Sequence, residues 1–268
     1  MPLDKKKISV VIPVYNALPQ LKACLASLER TARGRYELVL VDDCSGPETR
    51  RFIAGVKGAV KLRNAKNSGF AKTVNRGLKA ASGDYIAVVN SDVAFFENGL
   101  QGLAACLDSD PAAGACGPLT NRTVGVQRVV LDPKVERDTA SLRAFAQVMR
   151  MRFPAESFEV HRLVGFCFMV RREAYESVGL LDERFGTGCF EDFDYSLRLR
   201  QAGWKLKVAK DVFVWHRDHS SFGDHASFHA WAVKNREVFV DKWCRKALAF
   251  LDELDPALET RPPARRGR

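Results

Sequence analysis

Within the first ninety residues, apolar runs rich in β-branched side chains alternate with stretches whose apolar residues return at helical spacing. Residues 8–14 (ISVVIPV) form the first run, and Leu18, Leu21, Leu25 and Leu28 then recur at the three- and four-residue intervals of one helix face. Residues 36–41 are again strand-like, 47–56 read as a short helix and 60–62 as a short strand. Between 69 and 81, Phe70, Val74, Leu78 and Ala81 share a helical face, which Gly83 ends. Residues 85–89 close the series. Strands separated by helices of this length form βαβ units, so the expected fold class is α/β, a mostly parallel open sheet flanked by helices.

The rest of the chain is less regular. Helices are expected at 98–107, 141–151, 172–178 and 193–202, and strands at 165–170, 204–208 and 212–215. Residues 226–251 read as one long closing helix. With no internal repeat and no linker, the expected organisation is one domain over 1–225, a C-terminal helix packed on it over 226–254, and a basic tail over 255–268.

Composition limits the functional classes. At 268 residues, 46% hydrophobic and 28% charged, the chain is long enough for a large core. No apolar run approaches the ~20 residues that span a bilayer. Seven cysteines, odd in number and never spaced C-x-x-C, fit a reducing, cytoplasmic compartment. The net charge of +10 points to an anionic partner. Lys5, Lys6 and Lys7 at one end and Arg261, Arg265, Arg266 and Arg268 at the other fit a peripheral contact with an anionic membrane at its inner face. A nucleic-acid partner is not expected, because it leaves the acids at the strand ends unexplained.

Those acids carry the chemistry. In open parallel sheets, ligands bind beyond the carboxyl ends of the strands. Three ends carry polar clusters: Pro13-Val14-Tyr15-Asn16, Asp42-Asp43-Cys44-Ser45 and Asn90-Ser91-Asp92. One Asp at such a place also serves as a helix N-cap; three clusters at one sheet edge are harder to explain that way. Neither G-x-G-x-x-G nor G-x-x-x-x-G-K-[ST] follows the first strand, which removes the usual dinucleotide and P-loop readings.

The chain resembles the family 2 glycosyltransferases of the GT-A fold over roughly residues 8–221. The resemblance rests on Ile12-Pro13-Val14-Tyr15-Asn16, Val41-Asp42-Asp43-Cys44-Ser45, Lys66-Asn67-Ser68-Gly69-Phe70-Ala71, Asn90-Ser91-Asp92 in the D-x-D place, Glu191-Asp192-Phe193-Asp194 with Arg198, and Trp215-His216, in family order. It implies inverting transfer of a sugar from a nucleotide-diphosphate donor, UDP- or dTDP-linked. More weakly, it points toward bacterial rhamnosyl- and related surface-glycan transferases, with a glycan or lipid-linked glycan as acceptor. It further implies that Asp42 or Asp43, with Pro13 and Tyr15, cradles the base, and that Asn16, Asn67, Gly69 and Ser91 belong to the substrate site.

The chemistry of the residues agrees. Ionised carboxylates accept hydrogen bonds from a base and a ribose. Asp92 is a hard oxygen ligand suited to a divalent metal, Mn2+ or Mg2+, and His216 is a second candidate ligand; packing beside Trp215 is its other reading. Asn90 removes one acid from the D-x-D place and is assigned to ribose or donor sugar. Asp192 matches the family's general base, Glu191 is assigned to a donor or acceptor hydroxyl, and three acids in four residues raise at least one carboxylate pKa. The competing role for Asp192 is a helix N-cap. Residues 217–221 are expected to close over the diphosphate. Two other functions fit the fold: a sugar-phosphate nucleotidyltransferase, which needs a Gly-rich basic loop that Val14-Tyr15-Asn16-Ala17 does not supply, and a nucleotide-binding scaffold without catalysis.

Overall fold

Alternate residues of Ile8–Val14 (β1) are buried in two different cores, which makes this strand the centre of a layered α/β structure. Val10 and Ile12 join Leu21, Leu28, Leu100 and Leu103 on one face; Val11 joins Val74, Leu78 and Leu142 on the other. A strand buried on both faces reads as a continuous apolar run, as β1 does. The computed structural model describes residues 6–32, 36–217 and 225–252.

In chain order β1 is followed by Leu18–Ala32 (α1), Glu37–Asp42 (β2), Pro47–Gly55 (α2), Ala59–Arg63 (β3), Phe70–Ala80 (α3) and Tyr85–Val89 (β4). Then come Val93–Phe95 (β5), Gly99–Asp108 (α4), Ala113–Thr120 (β6), Pro133–Glu136 (α5), Thr139–Arg152 (α6) and Ser157–Val160 (β7). Cys167–Arg171 (β8), Arg172–Val178 (α7), Glu191–Gln201 (α8), Lys205–His216 (β9), His225–Trp243 (α9) and Arg245–Asp252 (α10) complete the described chain. The sheet order is β3-β2-β1-β4-β8-β6-β9-β5, with β7 also on β9.

The open sheet with helices on both sides agrees with the sequence reading, and its first four strands are parallel. Beyond β4 the sheet is mixed: β8 runs antiparallel to β4 and β6, β9 runs parallel to β6, and β5 and β7 run antiparallel to β9. Two expected short strands fuse into β9, because β6 pairs along both of its halves across a register shift at Pro118/Leu119. β6 itself (AGACGPLT) has almost no β-forming side chains. It needs small ones: a Cβ on Gly114 would lie 2.6 Å from the Cβ of Trp204. The expected closing helix is two helices, since Cys244 takes a left-handed φ of 70° and breaks the ladder. Leu248 of α10 thereby joins Phe239, Phe193 and Leu197 in a third cluster.

Among the described residues, no helix is long and apolar enough to cross a membrane. The cysteines are free thiols. Lys6 is paired with Asp108 at 2.6 Å and Lys7 with Glu37 at 3.1 Å, so these two are tied to the fold. Residues 1–5 and 253–268, with the other basic ends, lie outside the described residues.

Gly77 lets α3 approach β1: a Cβ there would sit 2.2 Å from Val11 Cγ1. The methyl of a β-branched residue in a central strand has no rotamer to escape into. Gly77→Ala is expected to destabilise the fold by about 1–3 kcal/mol, despite alanine's better helix propensity, as a lower urea midpoint with unchanged m-value.

Candidate active site

The carboxyl ends of β1 and β2 are stitched together by short polar bonds. After β1, Asn16 and Ala17 both take left-handed φ values, 55° and 49°. The Asn16 backbone N–H donates to Ser45 Oγ at 2.9 Å, and the Gly46 N–H donates to Asn16 Oδ1 at 2.9 Å. Asp42, almost fully buried, accepts the Ser45 N–H on Oδ1 at 2.8 Å and binds Arg63 through Oδ2. Asp43 accepts Asn64 Nδ2 and the Ser68 N–H at 2.8 Å each on Oδ1, and the Gly69 N–H at 3.0 Å on Oδ2. Both acids therefore shape the loops that frame this edge, and only their remaining lone pairs face any ligand. Tyr15 and Asn16 are exposed at the mouth, Pro13 is half-buried, and Asn67 turns its Oδ1 back to the Gly69 N–H at 3.2 Å. Gly69 has φ 84°, and a Cβ there would meet the Gly186 carbonyl oxygen at 2.5 Å. That approach brings the loop before the Glu191-Asp192 pair against the start of α3, where the Ala71 N–H donates to the same oxygen.

Asn90, Ser91 and Asp92 form the turn from β4 into β5. Ser91 and Asp92 are buried, and Asn90 Oδ1 is buried with no hydrogen-bond partner among the described residues. β5 pairs Val93 with His216, which sets Asp92 beside the end of β9. His216 Nε2 lies 3.4 Å from Asp92 Oδ1. The other ring nitrogen, Nδ1, is 2.8 Å from the Arg122 carbonyl oxygen, to which it must donate. In a neutral imidazole, Nε2 then presents a lone pair to a carboxylate, an arrangement that calls for a cation or a proton between them. Two ligands of one Mn2+ or Mg2+ at about 2.1 Å stand about 3 Å apart, close to the separation seen, and a ligating His usually donates its second nitrogen to a carbonyl. The pair fits a divalent ion. Among the described residues no third His, Cys, Asp or Glu converges there, so the remaining positions fall to substrate oxygens and water.

The acids of α8 divide by role. The N-cap is Phe190, left-handed at φ 71° and without a side-chain cap bond, so Asp192 does not cap the helix. Asp192 Oδ2 accepts the Gly165 N–H at 2.8 Å and Oδ1 the Phe193 N–H at 2.9 Å. Burial raises its pKa, opposed by the Gly165 N–H and the nearby Arg162 charge. Burial pushes Glu191 well above the usual carboxylate range, and the Asp192 charge adds to this. Glu191 Oε2 has no hydrogen-bond partner among the described residues. Asp194, fully buried, is structural: Arg198 Nε, four residues on, reaches it at 2.9 Å, and Trp243 Nε1 at 2.8 Å.

Gly165 and Phe166 bring these clusters together. Gly165 holds Asp192, the Phe166 carbonyl accepts the Asn90 N–H at 2.9 Å, and the Phe166 ring stacks on His216 with centroids 5.2 Å apart. The sequence placed these two residues only at the start of an expected strand, which begins instead at Cys167. It did not mark Asn235, whose Nδ2 lies 2.6 Å from the carbonyls of Phe185 and Gly188 and fixes the loop before the acids from α9. Arg217 stacks over Trp215 at 4.7 Å; residues 218–221 of the expected lid lie outside the described residues.

The raised Glu191 pKa has a consequence for stability. The folded protein holds this proton more tightly than the unfolded chain, so the contribution is complete below about pH 4 and fades as pH rises toward the folded pKa. Glu191→Gln removes that loss. Its Tm should match wild type near pH 4 and exceed it at pH 8 by at least about 2 °C, the shift that one kcal/mol gives in a chain of this size. An equal Tm difference at both pH values would contradict an uncomfortable buried carboxylate.

Comparison with known proteins bears on this site. The profile of glycosyl transferase family 2 matches residues 9–179. Over 261 residues the chain is 28% identical to the N-acetylglucosaminyl-diphospho-decaprenol L-rhamnosyltransferase of Mycobacterium tuberculosis (strain H37Rv), covering 87% of this chain and 83% of that protein. It is 24% identical over 263 residues to an uncharacterised protein of Sinorhizobium fredii, covering 91% of this chain but only 28% of that relative's length. Among solved structures, GalNAc-T7 with UDP, GalNAc and Mn2+ aligns with a TM-score of 0.69 at 20% identity, over 92% of this chain and 50% of that one. A mannosyltransferase from Pyrobaculum calidifontis, solved with GDP-Man and Mn2+, aligns with a TM-score of 0.60 at 20% identity, over 90% and 64%. At such identities the structural likeness establishes the fold, an α/β sheet of the GT-A type.

Proposed function

This chain belongs to glycosyl transferase family 2, and we propose that it transfers a sugar from a UDP- or dTDP-linked donor to a glycan or lipid-linked glycan, with inversion at the anomeric carbon. The observation that carries this reading is the junction at Gly165 and Phe166, which sets a buried carboxylate with a raised pKa beside an Asp–His pair fit for a metal. Inversion needs one base on the acceptor side and charge stabilisation on the leaving-group side, and these two groups supply that division. Manganese in the two solved neighbours, and a lipid-linked acceptor in the name of the mycobacterial relative, support it.

In this reading the loops framed by Asp42 and Asp43 seat the base and ribose, with Pro13, Tyr15 and Asn16 at the mouth. Asn67 and Gly69 shape the adjoining wall. Asn90 offers its unpaired amide oxygen to a donor hydroxyl, beside Ser91. Asp92 and His216 hold Mn2+ or Mg2+, which when bound acts as a Lewis acid toward the departing diphosphate. Asp192 removes the proton of the acceptor hydroxyl. Its raised pKa gives it a firmer grip on that proton than an ordinary aspartate has, while the charge of Arg162 keeps the ionised form accessible. Glu191, whose Oε2 has no partner among the described residues, bonds a donor or acceptor hydroxyl. The protein works in the cytoplasm, in peripheral contact with the inner face of the membrane.

Two experiments test this reading. UDP or dTDP at ~100 times its dissociation constant with Mn2+ should stabilise the protein by about 2.7 kcal/mol. EDTA or Asp92→Asn should remove most of that gain, and absence of a gain with either nucleotide would contradict the donor assignment. Asp192→Asn keeps shape but cannot take a proton. It should lower turnover by about 10²- to 10⁴-fold with nucleotide affinity unchanged. Near-normal transfer would remove Asp192 as the base.

A further inference from the structure

α2 turns two arginines toward a cleft. Pro47, Arg50, Arg51 and Ala54 stand at i, i+3, i+4 and i+7 on one face of this helix, while Thr49 and Ile53 bury another. Arg63, the last residue of the edge strand β3, faces the same space. With Ser45 these residues line an open cleft of about 380 Å³. Half of its lining residues are arginines and none is an acid.

The frame of the cleft is built in advance. Arg63 Nη2 donates to the Ser45 carbonyl at 3.2 Å, and Lys61 Nζ donates to the Ala54 carbonyl at 2.8 Å. β3 is thus tied to the chain at both ends of α2. The Arg63 charge is shared with Asp42, which is buried and does not line the cleft. The charges of Arg50 and Arg51 are not shared: neither guanidinium has a hydrogen bond or ion pair among the described residues. Glu48, on the first turn of α2, is exposed and lies off the lining. A single exposed arginine simply stands in water; two uncompensated ones meeting a third on one cleft concentrate positive potential there.

We propose that this cleft binds a small phosphate monoester, with an organic body about one sugar ring in size, at a place apart from the donor edge. A guanidinium matches phosphate oxygens as a planar fork. The cleft is about two and a half times the ~150 Å³ that holds one benzene, so a phosphate alone underfills it. The phosphate faces Arg50, Arg51 and the N–H groups of Arg63 left over from Asp42 and Ser45. The body lies against Pro47 and Ala54 with its hydroxyls in water, and the lining holds no large apolar side chain for an acyl chain. Ser45 links the cleft to the donor edge: its N–H binds Asp42 and its Oγ accepts the Asn16 N–H. An ester that draws Arg63 from Asp42 disturbs that loop and adds negative charge beside it. On the reading of Asp42 and Asn16 as donor-binding residues, the ester and the nucleotide therefore weaken each other by the same factor.

Calorimetric titration of the full chain at about 0.15 M salt tests this with glucose 6-phosphate, glucose and inorganic phosphate as probes. Glucose 6-phosphate should bind several-fold more tightly than inorganic phosphate, and glucose should give no heat of binding. Arg50→Gln and Arg51→Gln, at exposed positions, should each weaken glucose 6-phosphate by about tenfold, the loss of one charged hydrogen bond. Lys57→Gln removes the same charge outside the cleft and should change nothing. The proposal is overturned if glucose 6-phosphate does not bind or binds no more tightly than inorganic phosphate. It is also overturned if its affinity survives both arginine substitutions, or falls equally in the Lys57 variant. With UDP or dTDP and Mn2+ added, glucose 6-phosphate affinity should fall to a plateau, about fivefold lower. A fall without a plateau makes the cleft part of the donor site and overturns the separate site; an unchanged affinity refutes the coupling. If neither nucleotide binds, the donor reading fails, while the titrations of glucose 6-phosphate alone still decide the cleft.

Discussion

The active edge depends on how two consecutive residues use their polar and aromatic groups. The Gly165 N–H is spent on Asp192, the Phe166 carbonyl on Asn90, and the Phe166 ring on His216. Each contact alone is ordinary, a net contribution of about 1 kcal/mol for a hydrogen bond. Together they fix the separation of three groups that come from different strands and a helix. Because β8 starts at Cys167 and pairs with β4, the dipeptide is also locked to the middle of the sheet. Asp192 and the Asp92–His216 pair are therefore both anchored to a rigid element, as the proposed roles of base and metal ligands require.

The helix that carries the acids is held from behind by costly interactions. Asp194 is fully buried and takes Arg198, Lys242 and Trp243, while Lys242 also reaches Asp182 at 2.8 Å. Arg184 and Lys242 hold the Asp182 carboxyl well below the usual range. Buried ion pairs contribute little net stability, but removing one partner leaves a stranded charge, so they resist rearrangement. Asn235 extends the same grip to the loop at 185–189. α9 thus acts on the acids from outside the catalytic edge. Asp192 spends one lone pair of each oxygen, on the Phe193 and Gly165 N–H groups, and keeps the others for substrate.

The sheet core was legible in the sequence because its strands alternate between two apolar layers and the helices between them repeat at 3.6 residues. The acids at the strand ends were legible because three polar clusters at one edge of a sheet are harder to explain as helix caps than one is. β6 was not, since glycine and alanine there answer to the bulk of Trp204, and no local pattern reports a distant tryptophan. The break at Cys244 was not, because its left-handed backbone serves the packing of Leu248 rather than any preference of cysteine. The roles of Gly165, Phe166 and Asn235 were silent for a related reason: these residues act through backbone contacts or partners 27 or more positions away. The double use of Asp42 and Asp43 as loop braces is likewise invisible without the fold.

The most direct measurement is a crystal structure with a non-hydrolysable UDP- or dTDP-sugar and Mn2+. The account requires the ion at about 2.1–2.3 Å from both Asp92 and His216, with the anomeric carbon between that ion and Asp192 and room for one acceptor hydroxyl at the carboxylate. A donor sugar whose anomeric carbon faces away from Asp192, or an ion held by neither Asp92 nor His216, would contradict it.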